Sequence, residues 1–214
     1  MARTQAADYE SQRMAILEHA AEAFAASGYA ACTMADVAAK SGASKARLYH
    51  YYASKEAILF DLLDRHTEHL QAIARETRER ALREGLAPRA ELELMIRDFL
   101  EAYRTARTRH IALLNDVKFL GEAQRARIVA RERAVVEAFA VALERAFPGR
   151  VTAANRRAVT MMLMGAMNWT FTWLKPDGAL TYAEYAATVA DVLFRGLEGA
   201  PTAQSERRMR VAAG

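Results

Sequence analysis

The chain has 214 residues, 52% of them hydrophobic, and carries a formal net charge of +4. Its single cysteine, Cys32, excludes an internal disulfide framework and fits a reducing cytoplasm. We expect neither a signal peptide nor a membrane span, because residues 1–9 lack an apolar core and no long apolar run follows. Ala, Leu, Glu and Arg dominate over only 10 Gly and 4 Pro, so the composition predicts an all-α fold.

The first 80 residues contain short segments of helical periodicity separated by caps and turns. In chain order, the pattern predicts a loose polar arm over residues 1–10 and helices over residues 11–27, 34–40, 45–51 and 55–81. Gly28 ends the first helix, Thr33 and Ser44 cap the next two, and Gly42 supplies the turn between them. Ala38 lies four residues before Gly42, where the two short helices should cross and only a small side chain fits.

The rest of the chain predicts five more helices, which makes nine in all. One follows Pro88 and carries an apolar stripe, and the others cover residues 110–120, 122–147, 152–174 and 182–197. The eighth helix is apolar nearly all round, and the ninth has one apolar stripe. Together they would form a four-helix bundle with a second copy of the chain. We therefore predict a homodimer through helices eight and nine.

Two short helices joined by a glycine turn, over residues 33–51, indicate a helix-turn-helix. Its second helix would enter the major groove, with its N-terminal side chains at base edges. The local excess of cations also fits an ordinary solvated face, but hydroxyls and aromatic rings beside the cations suit phosphate and base contacts. The predicted DNA-binding residues are Thr33, Ser44, Lys45, Arg47, Tyr49, His50, Tyr51 and Lys55.

The segment "TMADVAAKSGASKARLYHYYASKEAIL", preceded by "AFAASGYAAC", resembles the DNA-binding domain of the TetR family of bacterial transcriptional regulators. The resemblance covers about residues 9–60 and places the same eight DNA contacts on matching positions. It implies nine or ten helices, a homodimer and a small-molecule pocket in the C-terminal domain. We accordingly divide the chain into a helix-turn-helix domain at residues 1–55, a ligand-binding and dimerisation domain at residues 56–200, and a flexible tail at residues 201–214.

The eighth helix carries methionines and tryptophans that suit a deformable apolar pocket, although the same residues fit a core or a dimer seam. A weaker resemblance, through "LLNDVKFLGEAQRARIVARERAVVEAF" and "MNWTFTWLKPDG", is to TetR-type regulators of fatty-acid, phenylacetate and steroid breakdown that respond to acyl-CoA thioesters. It implies an acyl-CoA effector. The predicted ligand-binding residues are Asn115, Phe119, Met164, Met167, Asn168, Trp169 and Trp173.

The leading hypothesis is therefore a DNA-binding repressor that a small apolar effector releases from its operator. The alternatives are a DNA-binding dimer without an effector and a regulator of this type with a different hydrophobic ligand. An enzyme is disfavoured, because no nucleophile elbow, phosphate-binding loop or zinc-protease motif is present. His66 and His69 are three residues apart on one helix, but no third metal ligand is evident, and we predict no metal, cofactor or catalytic residue.

Overall fold

A computed structural model describes residues 2–199, with side chains described from residue 7 onward. The fold is all-α, as predicted. The described residues form ten α-helices and one 3-10 turn: α1 Ala2–Ser27, α2 Met34–Lys40, α3 Lys45–Tyr51, α4 Lys55–Glu84, α5 Pro88–Thr105, α6 Arg107–Asp116, the turn Val117–Phe119, α7 Glu122–Ala146, α8 Arg156–Asn168, α9 Thr170–Trp173 and α10 Tyr182–Gly199.

Of the two predictions for the chain ends, only the one for the N-terminus falls on residues that the structure describes. The loose arm expected over residues 1–10 is wrong, because α1 begins at Ala2. Residues 2–9 contain neither Gly nor Pro and include three alanines, so nothing in their backbone propensity interrupts the helix. The flexible tail predicted for residues 201–214 lies outside the described residues.

The predicted eighth helix is shorter than expected and divided. It begins at Arg156, after a turn in which the Thr152 amide donates to the Asn155 side chain at 2.7 Å. It ends at Asn168, and Thr170 begins the four-residue helix α9. The Thr170 hydroxyl donates to the Met167 carbonyl at 2.8 Å, a local bond that competes with the regular helical ladder. The predicted ninth helix is therefore α10.

The chain folds into two compact units. Among the described residues, unit 1 comprises residues 2–69 and Ala106–Arg131, and unit 2 comprises Leu70–Thr105 and residues 132–199. The helix α4 contributes its first half to unit 1 and its second half to unit 2. Unit 1 thus contains α6 and the start of α7 besides the helix-turn-helix, so the functional division after residue 55 stays a prediction.

Each unit has its own apolar core. In unit 1, Phe24, Leu48 and Leu59 are almost completely buried. In unit 2, the rings of Phe99 and Phe139 meet edge to face, with their centroids 4.8 Å apart and both side chains fully buried. Both cores follow the helical stripes read from the sequence.

Candidate nucleic-acid interface and effector site

The helix-turn-helix is fixed by local hydrogen bonds that its sequence dictates. Thr33 caps α2 in a capping box, accepting from the Asp36 amide at 3.2 Å and donating from its own amide to the Asp36 carboxylate at 2.8 Å. These bonds from Thr33 hold the pKa of Asp36 below its usual value. Ser44 caps α3 by accepting from the Arg47 amide at 3.1 Å. Gly42, with φ of +63°, makes the turn that other residues would adopt only with strain.

The inner side of this motif is a small core that fixes the direction of α3. Val37 and Leu48 are fully buried, and Ala38 is buried where the two helices meet. The position of Ala38 agrees with the expectation from the sequence. Because Leu48 points inward, the neighbouring positions on α3 face solvent: Lys45, Arg47, Tyr49 and His50 are all exposed. This helix therefore presents a cationic and aromatic face to a partner.

The helix α1 supports the aromatic end of α3. Tyr51 stacks on Tyr9 with ring centroids 4.7 Å apart, and its hydroxyl donates to the Gln12 side chain at 3.0 Å. The Arg47 guanidinium also donates to that Gln12 oxygen. Sequence reasoning missed Tyr9 because it placed that residue in a loose arm before the first helix, and it missed Gln12 because the helix periodicity does not show contacts with α3. They orient two of the predicted DNA contacts.

Tyr52 is a structural residue of unit 1. Its ring is buried, and its hydroxyl donates to Asp61 on α4 and accepts from Arg13 on α1 at 3.1 Å. Burial, followed by the hydrogen bond to Asp61, raises the pKa of the phenol above its usual value. Tyr52 thus ties α3 to both long helices of the unit and stays uncharged.

The Lys55 side chain forms its hydrogen bonds within the protein. Its ammonium donates to the carbonyls of Tyr29 and Cys32, each at 2.6 Å, and lies 3.4 Å from that of Ala30. It also sits 4.2 Å from the centroid of the Tyr29 ring. An ammonium has three donors, and all three are taken by this loop. The residue therefore holds the α1–α2 loop against α4, and its role as a phosphate contact stays a prediction.

We expect Lys55→Met to lower the unfolding free energy by about 2–3 kcal/mol, because it leaves partly buried carbonyls without a charged donor. Urea unfolding followed by circular dichroism measures this loss. Lys45→Met, which removes an exposed lysine from α3, is the matched control and should change stability by less than about 0.5 kcal/mol. Equal losses in the two variants would show that the Lys55 contacts contribute nothing.

Within unit 1, the residues that follow α6 contact the α1–α2 loop and the start of α4. The Phe119 ring lies 4.9 Å, centroid to centroid, from the ring of Tyr29, and the Gly121 amide donates to the Glu56 carboxylate at 3.0 Å. Phe119 thus packs against the loop that Lys55 holds. Asn115 is exposed on α6. These two predicted ligand residues belong to unit 1, whereas the other five belong to unit 2, so no single unit brings all seven together.

Two histidines meet in the interior of unit 1. His66 Nε2 lies 3.3 Å from His110 Nδ1, and both side chains are buried. His69, three residues after His66 on the same helix, is exposed. Among residues 2–199, no three metal-ligating side chains cluster. Burial, and secondarily the charge of His69, lowers the pKa of His66 to about 4.

This shift predicts a pH-dependent stability. Below pH 6.5 the unfolded chain protonates His66, whereas the folded chain does so only near pH 4, so stability should fall as pH drops through this window. The full loss for this pKa difference is about 3 kcal/mol. Urea unfolding between pH 7.5 and 4.5 measures it. His66→Gln should flatten the curve and His50→Gln, at an exposed position, should not; identical curves would contradict the assignment.

The predicted ligand residues of α8 and α9 divide into buried and exposed groups. Met164 and Met167 are buried in unit 2. The Asn168 side-chain oxygen is buried without a hydrogen-bond partner among the described residues. Trp169 is 64% exposed and Trp173 47% exposed. Trp169 lies at the break between α8 and α9 and its indole contacts Phe171, whereas the Trp173 indole contacts Tyr185.

An apolar groove of about 560 Å³ runs between α8 and α10. Met162 and Val192 line it and are 68% and 66% exposed. Large side chains so exposed on adjacent helices are typical of an interface. A second groove, of about 430 Å³, lies between α4, α5 and α7. None of the seven predicted ligand residues lines either groove. Within the part of the chain that is described, no helix is both long and apolar enough to cross a membrane.

Comparison with known families agrees with this architecture. The family model "Bacterial regulatory proteins, tetR family" matches residues 16–62, which contain the helix-turn-helix. The model "Tetracyclin repressor-like, C-terminal domain" matches residues 85–197, over half of the chain. No curated protein matches the sequence at a significant level.

Solved structures give the same result. A TetR-family transcriptional regulator from Bordetella parapertussis is 32% identical, with 89% of this chain and 98% of that chain covered and a TM-score of 0.80. PfmR from Thermus thermophilus is 26% identical, with 84% and 97% covered and a TM-score of 0.74. AibR, in complex with isovaleryl coenzyme A and operator DNA, is 25% identical, with 86% and 98% covered and a TM-score of 0.72. The chain belongs to the TetR family of DNA-binding transcriptional regulators, which are not enzymes.

Proposed function

We propose that this regulator is a cytoplasmic repressor whose α3 enters the major groove of an operator. The observation that carries the proposal is the exposed face of α3, held outward by the buried Leu48 and the Ser44 cap. The proposed DNA contacts are Thr33, Ser44, Lys45, Arg47, Tyr49, His50, Tyr51 and Lys55. The Lys55 ammonium also holds the α1–α2 loop within the protein.

The operator is read by a homodimer, in keeping with the family's mode of action. The exposed apolar groove between α8 and α10 supports these two helices as the dimer surface, because pairing two copies would bury Met162 and Val192. Two recognition helices about 34–36 Å apart would meet successive major grooves, so the operator should be a palindrome with half-sites about one turn apart.

Repression is relieved by a small apolar effector, for which an acyl-CoA is the leading candidate. The likeness to AibR, whose structure contains isovaleryl coenzyme A and operator DNA, supports this class of effector. Within unit 1, Phe119 of the turn after α6 packs on Tyr29 of the α1–α2 loop, and this contact is a route by which a shift of α6 alters the DNA-binding surface. A different hydrophobic ligand and an effector-independent dimer remain the alternatives.

Selection from random DNA duplexes tests the DNA-binding proposal without knowledge of the regulated genes. Purified protein should enrich one palindromic sequence, here named the selected operator, over its scrambled version. Fluorescence anisotropy then measures its affinity with acyl-CoAs of increasing chain length. Weaker binding with one thioester class supports induction, whereas tighter binding makes the protein a ligand-dependent DNA binder. Unchanged affinity with every acyl-CoA would contradict the acyl-CoA assignment.

A further inference from the structure

The side chain of Gln12, on α1, joins two residues of α3. Its Oε1 atom accepts from the Tyr51 hydroxyl at 3.0 Å and from Nη2 of the Arg47 guanidinium. Arg47 and Tyr51 are four residues apart on a helix, so their side chains lie on the same flank of α3. One amide oxygen of α1 therefore serves two residues of the proposed DNA-binding surface.

The chemistry of arginine determines which end of the Gln12 amide faces α3. A guanidinium has only donors, so the atom that faces Arg47 must be the carbonyl oxygen, and the Tyr51 hydroxyl must also donate to it. Tyr9 lies three residues before Gln12 on α1 and stacks on the Tyr51 ring, with centroids 4.7 Å apart. The stacked Tyr51 thus holds the Gln12 oxygen, and that oxygen holds Arg47.

Arg47 keeps most of its hydrogen-bonding capacity in this position. Of the five N–H groups of a guanidinium, Gln12 takes one, which leaves the others for a second partner. The side chain is exposed, and Gln12 is a neutral acceptor that does not cancel its positive charge. A free arginine side chain loses much rotamer freedom when it binds, and fixing it beforehand reduces that cost. Arg47 is therefore preorganised, charged and accessible.

We propose that Gln12 is a positioning residue for DNA recognition, which holds the Arg47 guanidinium in the orientation in which it pairs with a base edge. The inference rests on the proposed function, since it requires α3 to lie in the major groove. Gln12 acts through Arg47, so its effect belongs to sequence preference. Affinity for unrelated DNA depends mainly on phosphate contacts and should be unaffected.

A double-mutant cycle tests whether Gln12 acts through Arg47. The proteins are the unmodified chain, Gln12→Met, Arg47→Met and the double variant; methionine keeps the length of each side chain but removes its hydrogen bonds. Anisotropy should show that Gln12→Met weakens binding to the selected operator by at least about tenfold. Its affinity for the scrambled duplex should stay within about twofold. In the Arg47→Met background the same substitution should change operator affinity by less than about twofold.

Operators with one base pair changed in both half-sites locate the effect. Gln12→Met and Arg47→Met should lose discrimination at the same base pair and keep it at the other positions, since each base contact is read separately. A merely structural role would weaken binding to all of these duplexes together. Gln71→Met, at a half-buried glutamine of α4, is the matched control and should leave every affinity within about twofold.

Urea unfolding of the same four proteins tests the contact without DNA. The losses caused by Gln12→Met and Arg47→Met should be non-additive, by at least about twofold in the unfolding equilibrium constant, because the two residues share a hydrogen bond. Circular dichroism confirms that each variant is folded.

Four results would overturn the inference: additive losses in urea, a Gln12→Met effect that persists without Arg47, equal weakening on operator and scrambled DNA, or tighter operator binding by Gln12→Met. The last result would mean that Gln12 withholds Arg47 from DNA. Normal operator binding by the unmodified protein together with any of these refutes only the role of Gln12. Enrichment of no duplex by the unmodified protein refutes the proposed function, and with it any role of Gln12 in recognition.

Discussion

Replacing Lys45 and Tyr49 together by alanine is expected to weaken binding to the selected operator by at least about 100-fold, because each lost contact with DNA costs about 1–3 kcal/mol and the dimer loses every contact twice. Both side chains are exposed on α3, and Leu48 between them stays buried. The thermal unfolding midpoint should therefore stay within about 2 °C of the unmodified value, since exposed substitutions change stability little. Anisotropy and a thermal melt on the same sample measure the two effects.

Lys175→Ala is the matched control, since it removes an exposed lysine from the C-terminal region. It should leave operator affinity within about twofold, apart from a small long-range electrostatic effect. The salt dependence adds a second check, because loss of a phosphate contact lowers the slope of log affinity against log salt concentration by about one per contact. Undiminished affinity of the Lys45→Ala/Tyr49→Ala protein would show that α3 is not the recognition helix.

Val192→Glu is expected to convert the dimer into a monomer and to remove operator binding at concentrations where the unmodified protein is saturated. Val192 is 66% exposed in the single chain, so its replacement leaves the core of unit 2 intact. In a two-fold interface every substitution occurs twice, and each buried carboxylate without a partner costs several kcal/mol. A monomer presents only one recognition helix and loses the second half-site.

Sedimentation velocity measures the change in mass, and anisotropy measures the loss of affinity. Leu82→Glu is the control, because Leu82 is 62% exposed on α4 and lies outside the α8–α10 groove. This control should remain dimeric and bind the operator normally. A dimeric Val192→Glu protein would place the interface elsewhere on the chain.

The parts of the helix-turn-helix that the sequence predicted correctly depend on neighbouring residues. The Thr33 and Ser44 caps and the Gly42 turn follow from spacings of three to four residues. Local hydrogen bonds and backbone preferences decide such features, so a single sequence is sufficient to find them.

The features that the sequence did not predict join distant segments. Lys55 bonds to carbonyls more than 20 residues earlier, and only the folded chain reveals that its charge is used internally. Glu91 lies in the first turn of α5, where a carboxylate commonly stabilises the helix dipole, so the sequence alone suggests an ordinary surface residue. The structure shows instead that it is paired with Arg145, 54 residues later. Phe119 was selected as a ligand residue, but its ring packs on Tyr29. Long-range pairings of this kind leave no periodic signal in the sequence.

The most direct test of the account is the selection of random duplexes followed by a stoichiometric titration of the enriched sequence. At physiological salt we expect a palindromic operator that binds two protomers, at least about 1,000-fold more tightly than its scrambled version. Enrichment of no sequence, or equal affinity for the enriched and scrambled duplexes, would contradict a sequence-specific regulator that reads DNA through α3.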